Sequence, residues 1–403
     1  MPTLSTEPIA GMAPFPAARV PGDFPTELQA LLWLLRCAIG NEKDAWDPGW
    51  DKSIDWAKFL ACAERHRVGA FLHWRLPARA REALPSAVLG ELGRTAEQGT
   101  HRSLQRASQL VRIARQFADS GIPVASVKGP LLALSLYGEL GQRHAGDIDL
   151  LVAPDDVERA DALLRAQGYE RMEPGFELTP VQFRQIRRFK RDAVYISRDS
   201  GIRIELGWRL FNIAERCKAE FEWRDFAGQK IAVLRPDDNI LYLFAHGARH
   251  GWFRLFWLVD VALLLADDRT DWPALARSAR GLGVERSVSQ GAALAGDLLG
   301  APVPAAVAEL SRNGGALRPL LAYANRQISK DVAPGALQAE PVSYAMRLQS
   351  AWRERWIIFR GRFMYAENWR ILPLSDRWFA LHYAAAPLLW LYRRIAGRRH
   401  RST

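Results

Sequence analysis

Pro123-Val124-Ala125-Ser126-Val127-Lys128-Gly129-Pro130, a short helical run, and then Arg143-His144-Ala145-Gly146-Asp147-Ile148-Asp149-Leu150-Leu151-Val152-Ala153 form the stretch on which the fold turns. It reads as strand, sharp turn, helix, loop, strand. In the second strand a period of two puts Asp147 and Asp149 on one face and Ile148, Leu150 and Val152 on the other. Two carboxylates side by side at a strand start repel each other unless a positive group sits between them. A divalent metal is the usual solution. Lys128 and Gly129 stand where the first strand turns into a helix, and Pro130 suits the first helical position because its missing N–H is not needed there. A helix start with free N–H groups and a lysine beside it is an anion site. Phosphate and metal together point to nucleotide chemistry.

Working outward, strand Ile122–Val127 and a helix over 130–138 precede strand Asp147–Val152. Pro154-Asp155-Asp156 opens the next helix, which ends at Gly168. Ala193–Ser197 and Ile202–Leu206 read as a hairpin joined by Arg198-Asp199-Ser200-Gly201. On its second strand Ile204 and Leu206 face one way and Glu205 the other. If that strand neighbours Asp147 and Asp149, Glu205 is a third metal ligand. The bland alternative for the two aspartates is a turn cap before a buried strand.

Upstream, Leu28, Leu31, Leu32 and Leu35 recur at helical spacing, and Trp56, Phe59, Leu60 and Ala63 continue the pattern. Leu104, Leu110, Ile113 and Phe117 form the apolar stripe of a further helix closed by Gly121. His66 reads as a buried or helix-surface structural histidine ahead of a site residue. Downstream, Asp237 or Asp238 caps a helix through Leu241, Phe244, Ala245 and Ala248. His246 and His250, four apart, share its face. The zinc-protease pattern needs Glu after the first histidine, and Gly247 follows here. The expected division is 1–22 without fixed structure, 23–120 helical, 121–235 the strand-containing core, 236–330 helical, and 331–403 a linker and a Trp/Arg-rich helical tail. The fold class is α+β, a small mixed sheet flanked by helical segments.

The chain has 403 residues, with 55 Lys and Arg against 44 Asp and Glu, a net charge of +11. That length calls for two or three domains, and the charge favours polyanionic partners. Cys37, Cys62 and Cys217 are few and scattered, which fits buried thiols in a reducing, cytoplasmic setting and excludes a disulfide framework or a cysteine zinc site. No signal peptide and no run of ~20 apolar residues is expected. Trp378–Tyr392 is apolar but short, Pro387 interrupts it, and Arg393, Arg394, Arg398, Arg399 and Arg401 follow. It reads either as a core helix with a solvated basic end or as a weak contact with an anionic membrane surface, at the inner membrane face. A nucleic-acid role for this tail has no recognised reading motif behind it.

Taken in order, several pieces resemble the bacterial uncharacterised nucleotidyltransferases, a branch of the DNA polymerase beta-like nucleotidyltransferase superfamily. They are Arg65-His66-Arg67-Val68, Val127-Lys128-Gly129 with Leu136-Tyr137, Arg143, Gly146-Asp147-Ile148-Asp149-Leu150-Leu151-Val152, Ile204-Glu205-Leu206-Gly207-Trp208-Arg209-Leu210, His246-Gly247 with His250-Gly251-Trp252, and Trp257-Leu258-Val259-Asp260. The likeness spans roughly residues 26–300. It departs from the superfamily at Gly129-Pro130, where a Gly-Ser or Gly-Gly turn is usual, and at Glu205-Leu206-Gly207-Trp208, which lacks a histidine.

The resemblance implies a Mg²⁺-dependent transfer of a nucleoside monophosphate from a nucleoside triphosphate such as ATP to an unidentified acceptor, with Mn²⁺ able to stand in for the metal. Asp147 and Asp149 would bridge the metals, and Glu205 would hold the one nearer the acceptor. Lys128, Gly129 and Arg143 would meet the phosphates. His246, His250, Trp252 and Asp260 are candidates for touching base or acceptor, with helix packing as the equal alternative. A catalytically inactive nucleotide-binding or scaffold protein is the rival reading, kept open by the loss of the turn serine.

Overall fold

The computed structural model describes residues 20–40, 50–211, 221–311, 315–330, 341–361 and 365–399. Cys217, Arg401 and most of the expected terminal and linker segments lie outside them. The architecture is α+β, as expected, with a mixed sheet of seven strands among the described residues. No described helix is long and apolar enough to cross a membrane. The chain folds into two compact units, each assembled from separated stretches.

One unit comprises residues 104–132, 145–235 and 341–403 and contains the whole sheet. Its strands are β1 (Val124–Ser126), β2 (Ile148–Val152), β3 (Tyr169–Arg171), β4 (Asp192–Ser197), β5 (Arg203–Gly207), β6 (Phe221–Phe226) and β7 (Gln229–Leu234). They lie in the order β3-β4-β5-β2-β1-β7-β6. β2 runs antiparallel to β1 and parallel to β5, and β1 runs parallel to β7. The apolar faces anticipated for β2 and β5 build one core. Ile148, Leu150, Val152, Ile204 and Leu206 pack with Leu110, Ile113 and Phe117 of the helix Ser86–Asp119 and with Val157, Ala160 and Leu164 of the helix Val157–Ala166.

That core extends into the C-terminal stretch, because Trp369 and Phe379 are buried in it. Two hydrogen bonds add to the anchoring. Tyr383 donates to Gln185 Oε1 at 2.6 Å, and Thr179 donates to Asp376 Oδ1 at 2.6 Å.

Three strands went unread in the sequence. β3 is only three residues long. β6 and β7 form an antiparallel hairpin turned at Ala227-Gly228, where both residues have positive φ (52° and 75°). That is the backbone of a two-residue hairpin turn, but alanine is not the residue that normally announces it. On β6 the alternating Phe221 and Trp223 share a face that is exposed, so its apolar side chains mark no core. Leu104, expected in the apolar stripe, is exposed instead, and Ala107 and Ser103 take the buried positions of that turn. Asp237 and Asp238 sit in the first turn of the helix Pro236–Arg249, where their charge still suits the helix start.

The other unit comprises residues 1–103, 133–144 and 236–340 and is helical wherever it is described. Leu28, Leu31, Leu32 and Leu35 of the helix Thr26–Ala38 are buried, as their spacing demands. The helix Leu255–Leu265 is apolar almost all round and correspondingly enclosed. His66 is fully buried, accepting the Leu255 N–H on Nδ1 at 3.2 Å. Burial, with Arg65 and Arg254 nearby, holds its pKa well below the ordinary imidazole value. It is a neutral structural histidine, as read.

Candidate metal centre

β2 and β5 are neighbours, and their register sets Asp149 directly beside Glu205. Asp147 precedes β2 by one residue. One carboxylate oxygen from each of Asp147, Asp149 and Glu205 lies within 4.8 Å of the others. Three local devices fix this cluster. The apolar residues alternating with the acids are locked in the core. The Val127 N–H donates to the Asp149 carbonyl at 3.1 Å, tying the first strand to the second. Arg106, on the helix Ser86–Asp119, donates from Nε to the Gly146 carbonyl at 3.0 Å and so pins the loop that delivers Asp147. Arg106 carried no signal in the sequence beyond being one arginine among many.

Lys128 is buried, with Nζ 2.8 Å from Asp149 Oδ1, and both side chains are over nine-tenths enclosed. The turn behind it follows the sequence reading. Gly129 has φ +71°, a conformation that β-carbons disfavour, and a side chain there would meet the Asp147 carbonyl at 3.7 Å. Pro130 opens the helix Pro130–Tyr137. The lysine turn and the carboxylates are therefore adjacent.

Burial, together with the charges of Asp149, Asp192 and Asp147 and against the pull of Lys128, raises the Glu205 carboxyl to about 8. Asp192 begins β4 and was not singled out in the sequence. Three carboxylates gathered beside a buried lysine make a group that could hold a divalent cation. The donors are all hard carboxylate oxygens, which fits Mg²⁺ or Mn²⁺ and argues against zinc.

Trp208, two residues beyond Leu206, is buried and donates from Nε1 to the carbonyls of Arg187 and Lys190, both at 3.0 Å. Its part is to hold the end of β5.

The remaining candidates all lie in the helical unit. Arg143 does use its planar fork, but on Asp260. Nε donates to Oδ1 at 2.9 Å and Nη2 to Oδ2 at 2.8 Å, and Tyr137 adds a 2.6 Å hydrogen bond to the same carboxylate. All three side chains are buried. Burial and Asp260 drive the Tyr137 pKa well above that of a free phenol.

Trp252 is wholly enclosed, with φ +55°. A β-carbon on Gly247 would collide with its ring, and one on Gly291 would lie 2.6 Å from it. Its Nε1 donates to Gln290 Oε1 at 3.2 Å. Gly247 and Gly291 thus leave room for the buried Trp252 ring. His246 and His250 do come together, their rings 4.7 Å apart, and His250 stacks on Trp257 at 5.2 Å.

The sequence model of the uncharacterised nucleotidyltransferase family matches residues 52–300, more than half of the chain. No curated protein and no solved structure matches it. The matched span contains the lysine turn, both aspartates, Glu205 and the helical His/Trp pieces. With the ordered motifs and the carboxylate cluster in agreement, the chain belongs to the uncharacterised nucleotidyltransferase family.

Proposed function

We propose that this protein is a Mg²⁺-dependent nucleotidyltransferase of bacterial, polymerase-beta-like type. It moves a nucleoside monophosphate from a nucleoside triphosphate, such as ATP, onto an acceptor hydroxyl or phosphate and releases pyrophosphate. The observation that carries the reading is the set of three carboxylates, Asp149 and Glu205 on parallel neighbouring strands and Asp147 just before β2, with oxygens within 4.8 Å. Asp147, Asp149 and Glu205 would hold the metal. When bound, the metal screens phosphate charge and lowers the pKa of an attacking hydroxyl. In the transfer, the acceptor oxygen forms a bond to the α-phosphorus as the bond to the bridging oxygen breaks, and pyrophosphate leaves with that oxygen. Lys128 would neutralise the phosphates, with the Gly129 turn beside it. Arg143 is left out of this set because Asp260 takes its guanidinium.

The acceptor is a sugar, small molecule, peptide or protein. The catalytic core is 121–235, with the helical segments 23–120 and 236–330 on either side in sequence and 331–403 after them. The scattered cysteines support a cytoplasmic setting.

Mass spectrometry of products tests the reading. Wild-type protein, Mg²⁺ and cell extract are incubated with each α-labelled triphosphate. Label should pass to an extract component with release of pyrophosphate. Glu205→Gln should bind triphosphate yet transfer it orders of magnitude more slowly. Triphosphate binding without pyrophosphate release from any extract would support the inactive binding module that Gly129-Pro130 leaves open.

A further inference from the structure

The charge of this chain is concentrated at one end. Residues 341–403 hold twelve arginines, no lysine and three acids, a net +9 out of the whole chain's +11. The same stretch carries large apolar side chains on its surface. The helix Leu381–Arg399 is fixed on one side, where His382 and Ala386 are buried and Phe379, just before it, enters the sheet core. Its other side is open. Leu381, Leu388, Leu391 and Tyr392 follow helical spacing along one face and are all exposed, Leu388 at 72% and Tyr392 at 59%. Trp378, in the turn leading into the helix, is also exposed, and the Arg377 guanidinium lies 5.8 Å over its ring.

Water-facing leucines beside an indole and a phenol make an energetically poor surface unless something covers them. Exposed leucines with Trp and Tyr, in an arginine-rich stretch, is the composition of a helix lying in a bilayer interface. A single-stranded nucleic acid would reward the rings and the arginines but not the leucines. No described helix can span a bilayer, so such a contact would be peripheral.

We propose that the open face of the helix Leu381–Arg399, with Trp378, docks on an anionic lipid surface. The arginines draw the protein to the headgroups, and Leu388 and Leu391 enter the acyl boundary. This surface is independent of the carboxylate cluster and does not rest on the transferase reading.

The test uses full-length protein and vesicles of phosphatidylcholine with or without phosphatidylglycerol. Wild type should float with the anionic vesicles at low salt, and not with the neutral ones. Raising salt should weaken binding without abolishing it, because only the arginine part is screened. Brominated lipid should quench tryptophan emission. The double variant Leu388→Glu, Leu391→Glu should lose roughly tenfold or more in vesicle partitioning, with an unchanged melting temperature because both side chains are exposed. Trp378→Ala should weaken binding by a smaller factor. Absence of flotation with anionic vesicles would overturn the proposal, as would lipid binding that neither the glutamates nor bromine quenching affects. Retention of single-stranded nucleic acid that is lost in the same double variant, without lipid binding, would assign the face to nucleic acid instead.

Discussion

At the scale of single residues, Lys128 and Glu205 carry the most chemistry. Lys128 sits on Asp149 at 2.8 Å with almost no solvent on either side chain. It balances part of a buried negative cluster. Removing one member of a buried ion pair leaves the other charged and unpaired, at a cost of about 3–5 kcal/mol. Lys128→Met should therefore lower metal-free stability by about that much, read from denaturant unfolding. Mg²⁺ should restore more stability to the variant than it adds to wild type. Equal Mg²⁺ effects on both proteins would show that lysine and metal do not share a site.

Glu205, raised to about 8, keeps its proton at neutral pH in the metal-free protein. A metal needs the carboxylate, so binding must expel that proton. Metal affinity should rise with pH up to about 8 and level off above it. Calorimetry at pH 7 in buffers of different ionisation enthalpy should show close to one proton released per metal in wild type and almost none in Glu205→Gln. Equal release from both proteins would move the titrating group elsewhere.

At the scale of elements, the parts that were legible in the sequence are those where chemistry and periodicity coincide. β2 and β5 alternate cleanly, so the sequence yielded both their faces and their polar partners. Their being neighbours, with Asp149 opposite Glu205, emerged as expected. The β6–β7 hairpin was not legible, because Ala227 adopts a glycine-like conformation and the apolar face of β6, with Phe221 and Trp223, is turned to solvent. Arg143 shows another limit. A forked donor can grip a carboxylate as well as a phosphate, and nothing local in the sequence revealed that Asp260, more than a hundred positions away, would take it. Arg106 and Asp192 were missed for a related reason, since their relevance comes from tertiary placement. The helix Pro236–Arg249 offers a direct check on packing. Gly247 leaves room for the buried Trp252 ring, and Gly247→Ala should cost about 1–3 kcal/mol through overpacking. A melting temperature equal to wild type would mean that the ring can shift aside.

At the scale of the whole molecule, one unit holds the sheet, the carboxylates, the lysine turn and the basic C-terminal stretch. The other is helical where it is described and contains the buried Asp260, His66 and Trp252 hydrogen bonds. The family match spans residues from both units. The proposed function rests on Asp147, Asp149 and Glu205 forming a divalent-metal site that serves a triphosphate. Mn²⁺ titration of the full-length protein, followed by electron paramagnetic resonance with and without a nucleoside triphosphate, tests it most directly. Mn²⁺ should bind saturably, and the triphosphate should strengthen that binding. Asp147→Asn with Asp149→Asn should abolish that binding; the protein should still fold, because the core face of β2 is untouched, but with a lower melting temperature, because Asp149→Asn takes the carboxylate from the buried Lys128. Mn²⁺ and triphosphate affinities unchanged in the double variant would contradict the account.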